Sequence, residues 1–137
     1  MNEESPEFND KKLLAKITAL AKGLVYVSET DANVQTFSTG PVTNDDITSA
    51  ITQLDARAPV EEISFEDFFG RLSTEQDWYA EEEKKRAERF AQLKELLMEN
   101  LRGLKVLKVG NIQKTIYAGG LSQNNNLLGV KMDAVET

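Results

Sequence analysis

Three positions carry groups that could recognise or transform another molecule: Glu29, Trp78 and Thr137. Glu29 ends the segment Gly23-Leu24-Val25-Tyr26-Val27-Ser28-Glu29, where a β-prone apolar run gives way to a polar loop. Loops that leave a buried strand are frequent sites of function. Trp78 is the only tryptophan and follows Asp77, an acid placed to cap a helix. An indole in the first turn of a helix is either part of the core or an anchor for a partner. The sequence ends Val135-Glu136-Thr137. A strand running to that end would present a hydroxyl and an α-carboxylate, hard oxygen ligands suited to Mg²⁺. The competing reading is an ordinary frayed tail.

The chain has no Cys and no His. Thiol nucleophiles, disulfides and Cys/His zinc sites are therefore excluded, and the side chain best matched to proton transfer near neutral pH is missing. Ser–Lys and paired-carboxylate mechanisms remain, for instance Glu29 with Asp133, but nothing in the spacing brings such pairs together. Phosphate-loop and dinucleotide fingerprints are absent, because Gly119-Gly120 opens no helix. The composition therefore favours binding over catalysis and implies no cofactor.

Sixteen Lys and Arg against twenty-three Asp and Glu give a net charge of −7. Such a surface repels nucleic-acid backbones and attracts a basic protein, although the same charge also serves plain solubility. The run Glu81-Glu82-Glu83-Lys84-Lys85-Arg86 reads as a solvated helix face, and Phe65, Phe68 and Phe69 read as core. No basic leader or membrane-length apolar run is found, so a cytoplasmic location with no membrane contact is the expectation.

The elements that must position these groups follow from periodicity. Residues 1–8 read as a flexible tail and 9–137 as one domain, with Asn9 or Asp10 capping a helix that carries Leu13, Leu14, Ile17 and Leu20. A strand at Leu24–Val27, a polar loop at Ser28–Asn33 and a strand at Val34–Thr39 come next. Thr43 or Asn44 caps a second helix, and Ser64 opens a short one. Thr74-Glu75-Gln76-Asp77 repeats the capping signature and opens the longest helix, to about Leu101, with Gly103 closing it. Three strands complete the chain: Leu104–Val109, Ile112–Tyr117 and Leu127–Val135, with a loop at Gly119-Gly120. The fold class is α/β of the α+β type: a three-layer α/β/α sandwich around a largely antiparallel sheet. The long helix is expected on one face and the first two helices on the other.

The blocks Gly23–Glu29, Phe68-Phe69, Gln76-Asp77-Trp78-Tyr79, Leu127-Leu128-Gly129 and terminal Val135-Glu136-Thr137 resemble the nuclease A inhibitor family over about residues 11 to 137. Members of that family are small bacterial proteins that block a sugar-non-specific DNA/RNA nuclease. The resemblance implies a sandwich that plugs the nuclease active site. Glu29 would meet a basic residue of the nuclease, Asp77, Trp78 and Glu136 would lie at the interface, and Thr137 would reach the catalytic Mg²⁺. Where the family tends to carry a bulky aromatic and a Pro after Glu29, this chain has Thr30-Asp31-Ala32-Asn33. The alternative is a regulatory module of the same fold with a different, non-nuclease partner.

Overall fold

The structure, a computed structural model, describes residues 6–137, with side chains from Asn9 onward. Helix α1 spans Pro6–Ala21, and β1 (Val25–Val27) pairs with β2 (Asp31–Asn33) as a small antiparallel ladder. Strand β3 (Gln35–Pro41), a one-turn 3₁₀ helix at Thr43–Asp45, helix α2 (Ile47–Leu54) and strand β4 (Val60–Ile63) follow. Helices α3 (Phe65–Ser73) and α4 (Glu81–Asn100) precede strands β5 (Arg102–Gly110), β6 (Gln113–Leu121) and β7 (Asn126–Val135). The main sheet has the order β3-β7-β6-β5-β4, and every neighbouring pair is antiparallel. The expected α+β class with a largely antiparallel sheet is thus found.

Alternation along the strands divides the core in two. Val106, Ile116, Ala118, Leu128, Val130 and Met132 meet Leu13 and Ile17 of α1, Phe68 and Phe69 of α3, and Phe90, Leu93 and Leu97 of α4. Leu107, Val109, Tyr117, Phe37 and Leu127 meet Ile47 and Ile51 of α2. Helix α1 therefore packs with the long helix, rather than with α2 as expected. The apolar stripe of α2 is short and covers only part of its sheet face. Polar groups take the remainder there. Asp55 accepts hydrogen bonds from Arg57 Nη2 (2.7 Å) and Tyr117 Oη (2.9 Å), while Arg57 also donates to Thr115 Oγ1 (2.6 Å). Thr115 in turn donates to Asp133 Oδ1 (2.9 Å).

Several local expectations are corrected. Asn9 and Asp10 lie inside α1, which includes Pro6; residues 1–5 of the expected tail lie outside the described residues. Asp10 does not cap. Its carboxylate instead accepts from Asn126 (2.7 Å) and Ser122 (3.0 Å), tying α1 to the β6–β7 turn. Asp46, not Thr43 or Asn44, caps α2, by accepting from Ser49 N (3.0 Å). Ser64 does cap α3.

Helix α4 starts at Glu81 instead of near Thr74. The hydroxyls of Ser73 and Thr74 donate to the carbonyls of Phe69 (2.7 Å) and Gly70 (2.6 Å), so they close the preceding helix. Glu83 then reaches back to the Ala80 amide (3.4 Å). Gly103 lies in β5 at a register shift, with a left-handed φ of 65°, and does not end the helix. Gly119 and Gly120 are inside β6. A Cβ on Gly119 would sit 2.5 Å from the Leu128 carbonyl oxygen, so glycine here reflects close strand approach and not a loop.

The ion pair and hydrogen bonds around Asp55 set an acid limb for stability. Arg57 holds the Asp55 carboxyl at about 2 against the opposing effect of burial, with Tyr117 helping. A carboxylate with a lowered folded pKa contributes stability that is present above its unfolded value, roughly 4, and is lost as pH falls through the folded one. Thermal unfolding of Asp55→Asn between pH 5 and pH 2 is therefore expected to show a smaller fall in melting temperature than wild type, from a lower plateau. An identical slope for the two proteins would show that Asp55 does not carry this limb.

Candidate functional site

The hairpin that carries Glu29 is tighter than a polar loop. Asp31–Asn33 pairs with Val25–Val27, so only Ser28, Glu29 and Thr30 form the turn. Ser28 closes it, its amide donating to the Thr30 carbonyl (2.9 Å). The polar sequence Asp31-Ala32-Asn33 shows no β-pattern; the pairing comes from its register opposite Val25–Val27.

This turn is stitched to the end of β7. Val135 N donates to Ser28 Oγ (3.1 Å) and Glu29 N donates to the Val135 carbonyl (3.2 Å). Beyond the strand, the Glu29 carboxylate accepts from Thr137 N on one oxygen (2.7 Å) and from Thr137 Oγ1 on the other (2.6 Å). Glu29 and Thr137 are both exposed. A carboxylate has about four acceptor sites, so Glu29 keeps capacity for a cationic donor from outside. Two groups expected to act together, more than one hundred residues apart in sequence, thus meet at one surface point.

Glu136, the residue before Thr137, faces the other way. Its amide donates to the Ile112 carbonyl (3.0 Å), and its two carboxylate oxygens accept from Lys108 Nζ (2.7 Å) and Lys114 Nζ (3.1 Å). Burial alone would raise the Glu136 pKa, but the hydrogen bonds from the two ammoniums outweigh it and hold the carboxyl below its ordinary value. The phenol of Tyr26 is raised, by burial first and then by the Glu136 charge.

Trp78 lies in the connection between α3 and α4, not in the first turn of α4, and is 75% exposed. Its ring meets Tyr79 edge-on at a centroid distance of 4.7 Å. The core reading of this indole is therefore excluded. Trp78 shares a shallow groove with Val27, Leu72, Tyr79 and Arg86. Val27 is two residues before Glu29 and is itself exposed, so the groove borders the hairpin that carries the acid. Asp77 is exposed in the same connection.

Sequence reasoning missed three contributors. Lys108 and Lys114 read as the polar side of alternating strands, and only the pairing of β5, β6 and β7 brings both within reach of Glu136. Arg89 of α4 donates to the carbonyls of Leu20 (2.7 Å) and Lys22, closing the C-terminal end of α1. The carboxylate pair Glu29 and Asp133 is not assembled: Glu29 is bonded to Thr137, and Asp133 to Thr115. Among the described residues no cluster of three or more acidic side chains is placed to hold a metal, and no helix is long and apolar enough to cross a membrane.

A five-stranded antiparallel sheet with helices on it, a short hairpin fastened to the chain end and an exposed tryptophan beside that hairpin define a class of small mixed α+β domains. The chain belongs to the nuclease A inhibitor-like protein family, whose profile matches residues 11–137, nearly its whole length. No curated protein matches it.

Trp78 gives the site an optical probe. Its fluorescence in the free protein is expected to have the red-shifted maximum of a hydrated indole and to be readily quenched by acrylamide. Trp78→Ala should change stability by no more than about 0.5 kcal/mol in urea unfolding, as for other exposed positions. A blue-shifted, quencher-resistant emission would show the ring to be covered.

Proposed function

We propose that this protein inhibits a sugar-non-specific DNA/RNA nuclease by seating its chain end in the nuclease active site. The observation that carries the reading is the double hydrogen bond between Glu29 and Thr137 at an exposed point beside Trp78. Family membership points to a nuclease as the partner. The chemistry is consistent with it. A site that cleaves a polyanion with a bound divalent cation presents positive potential, and a net charge of −7 with an exposed acidic tip complements it.

In this reading Glu29 receives a basic side chain of the nuclease on its remaining acceptor sites. The α-carboxylate and hydroxyl of Thr137 are directed at the catalytic Mg²⁺, taking the place of substrate oxygens. Trp78, with Asp77 and Val27, supplies the surface that packs around this polar centre and excludes water. The protein performs no reaction, carries no cofactor of its own and protects the producing cell from its own nuclease.

One observation favours a second reading, a regulatory module with a non-nuclease partner. The segment after Glu29, where the family tends to carry a bulky aromatic and a Pro, is here the paired strand Asp31-Ala32-Asn33. That difference sits beside the proposed contact and would bear on partner choice.

Titration of the protein into a Mg²⁺-dependent digestion of plasmid DNA by the host's non-specific nuclease tests both readings. Stoichiometric inhibition is expected. Glu29→Ala should weaken it by about 2 kcal/mol or more, since truncating one partner of a buried charge pair typically costs that much. Trp78→Ala should cost about as much, as for an interface anchor. Deleting Thr137, or adding residues after it, should weaken inhibition at least as severely. Full potency in an extended form would overturn the plug, and no inhibition at any ratio would favour the second reading.

A further inference from the structure

Two carboxylates hold the last two residues, on opposite sides: Glu29 accepts from Thr137, and Glu136 reaches two lysines. Glu29 is within 2.7 Å of the Thr137 amide, and Glu136 is the residue before it. A carboxylate as little exposed as that of Glu136 is costly unless it is paired. Two lysines pair with it. Lys108 of β5 and Lys114 of β6 each reach one oxygen of Glu136, at 2.7 and 3.1 Å. The three side chains are only 16%, 19% and 30% exposed, so these pairs are less screened than an ordinary surface ion pair.

Alternation along an extended chain explains the division of labour. Successive side chains point to opposite sides, so when Glu136 faces the β5–β6 hairpin, Thr137 faces Glu29. The Glu136 amide bond to Ile112 fixes the same register through the backbone. Holding residue 136 therefore aims residue 137.

We propose that Lys108 and Lys114 are positioning residues that act through Glu136: they seat the chain end against Glu29 and so set the strength of inhibition without touching the partner. For inhibition the proposal rests on the nuclease reading above; for the seating it stands alone. It carries an unusual sign. Removing only the lysines leaves a little-exposed carboxylate unpaired, and removing only Glu136 leaves two little-exposed ammoniums without the anion that they share. Either change loosens the residue before Thr137. Removing all three leaves no such unpaired charge, and the amide bond from residue 136 to Ile112 still sets the register.

The test compares Glu136→Gln, the pair Lys108→Met with Lys114→Met, and the triple variant, all in the full chain. The {¹H}–¹⁵N nuclear Overhauser effect of the Thr137 amide reads the seating without any nuclease. Inhibition of plasmid digestion reads its consequence. Glu136→Gln and the lysine pair are each expected to lower the Thr137 value and to weaken inhibition about ten-fold, a coupling of about 1.4 kcal/mol. The triple variant is expected to return to within about three-fold of wild type. A triple variant worse than either parent, with melting temperatures falling in step, would reduce the three groups to fold stability and overturn the proposal. Unchanged Thr137 values in both parents would also overturn it. Failure of wild type to inhibit would sink the nuclease reading alone, while the Thr137 values would still decide the seating.

Discussion

Strand β7 holds the molecule together, because it lies between β3 and β6 and pairs with both. Asn126–Lys131 have β3 on one side and β6 on the other, and beyond them the Ser28–Glu29 turn bonds Val135 on the side that β3 has left. The end of β7 is consequently a fixed point. Ser28, Glu29 and Ile112 continue the hydrogen bonding past Val135, so the order of the sheet extends into the last residues of the chain. A terminus is ordinarily the least ordered part of a domain. Here it is tied to a hairpin on one side and to two lysines on the other.

The tip is also one of the places where charged groups are held close together. Acidic residues are spread over the sequence, but charges scattered in water and separated by more than about 8–10 Å are largely screened from one another. Those at the tip are not scattered. Glu29 and Glu136 are held by named donors within 2.6–3.1 Å, and the exposed indole of Trp78 stands next to the hairpin that carries the first of them. An acidic point beside an apolar one is the surface pattern expected where charge gives orientation and apolar burial gives affinity.

Much of this was legible from residue types. The strands Leu104–Val109 and Leu127–Val135 were readable from their β-prone runs, and the buried phenylalanines of α3 from their helical spacing. The candidate residues Glu29, Trp78 and Thr137 stood out by position and by family resemblance. What was not legible depended on which of two neighbours a polar group would serve. Thr74 has the spacing to open a helix but donates to Gly70 and closes one. Asp10 is a plausible cap but bonds across the molecule to Ser122 and Asn126. Asp31-Ala32-Asn33 has no strand pattern but pairs because Val25–Val27 lies opposite. For Asp10 a tertiary partner outweighed the local signal, for Asp31–Asn33 the strand across the hairpin did, and for Thr74 the preceding helix did. The roles of Lys108 and Lys114 depend on cross-strand register, which a single sequence does not display.

The position of β7 also bears on how the protein comes into being. Within the main sheet β3 has no neighbour other than β7, although most of the chain separates them in sequence. During synthesis β4, β5 and β6 can pair as they emerge, while β3 waits with its edge open until residues 126–135 leave the ribosome. Of the strands of this sheet, the last made is thus the one that joins its two parts. Loss of that segment to a nonsense codon or a protease would remove an interior strand and not an edge, leaving β3 and β6 both unpaired along that side. The cell would then hold either the finished protein or an aggregation-prone fragment, with little stable ground between.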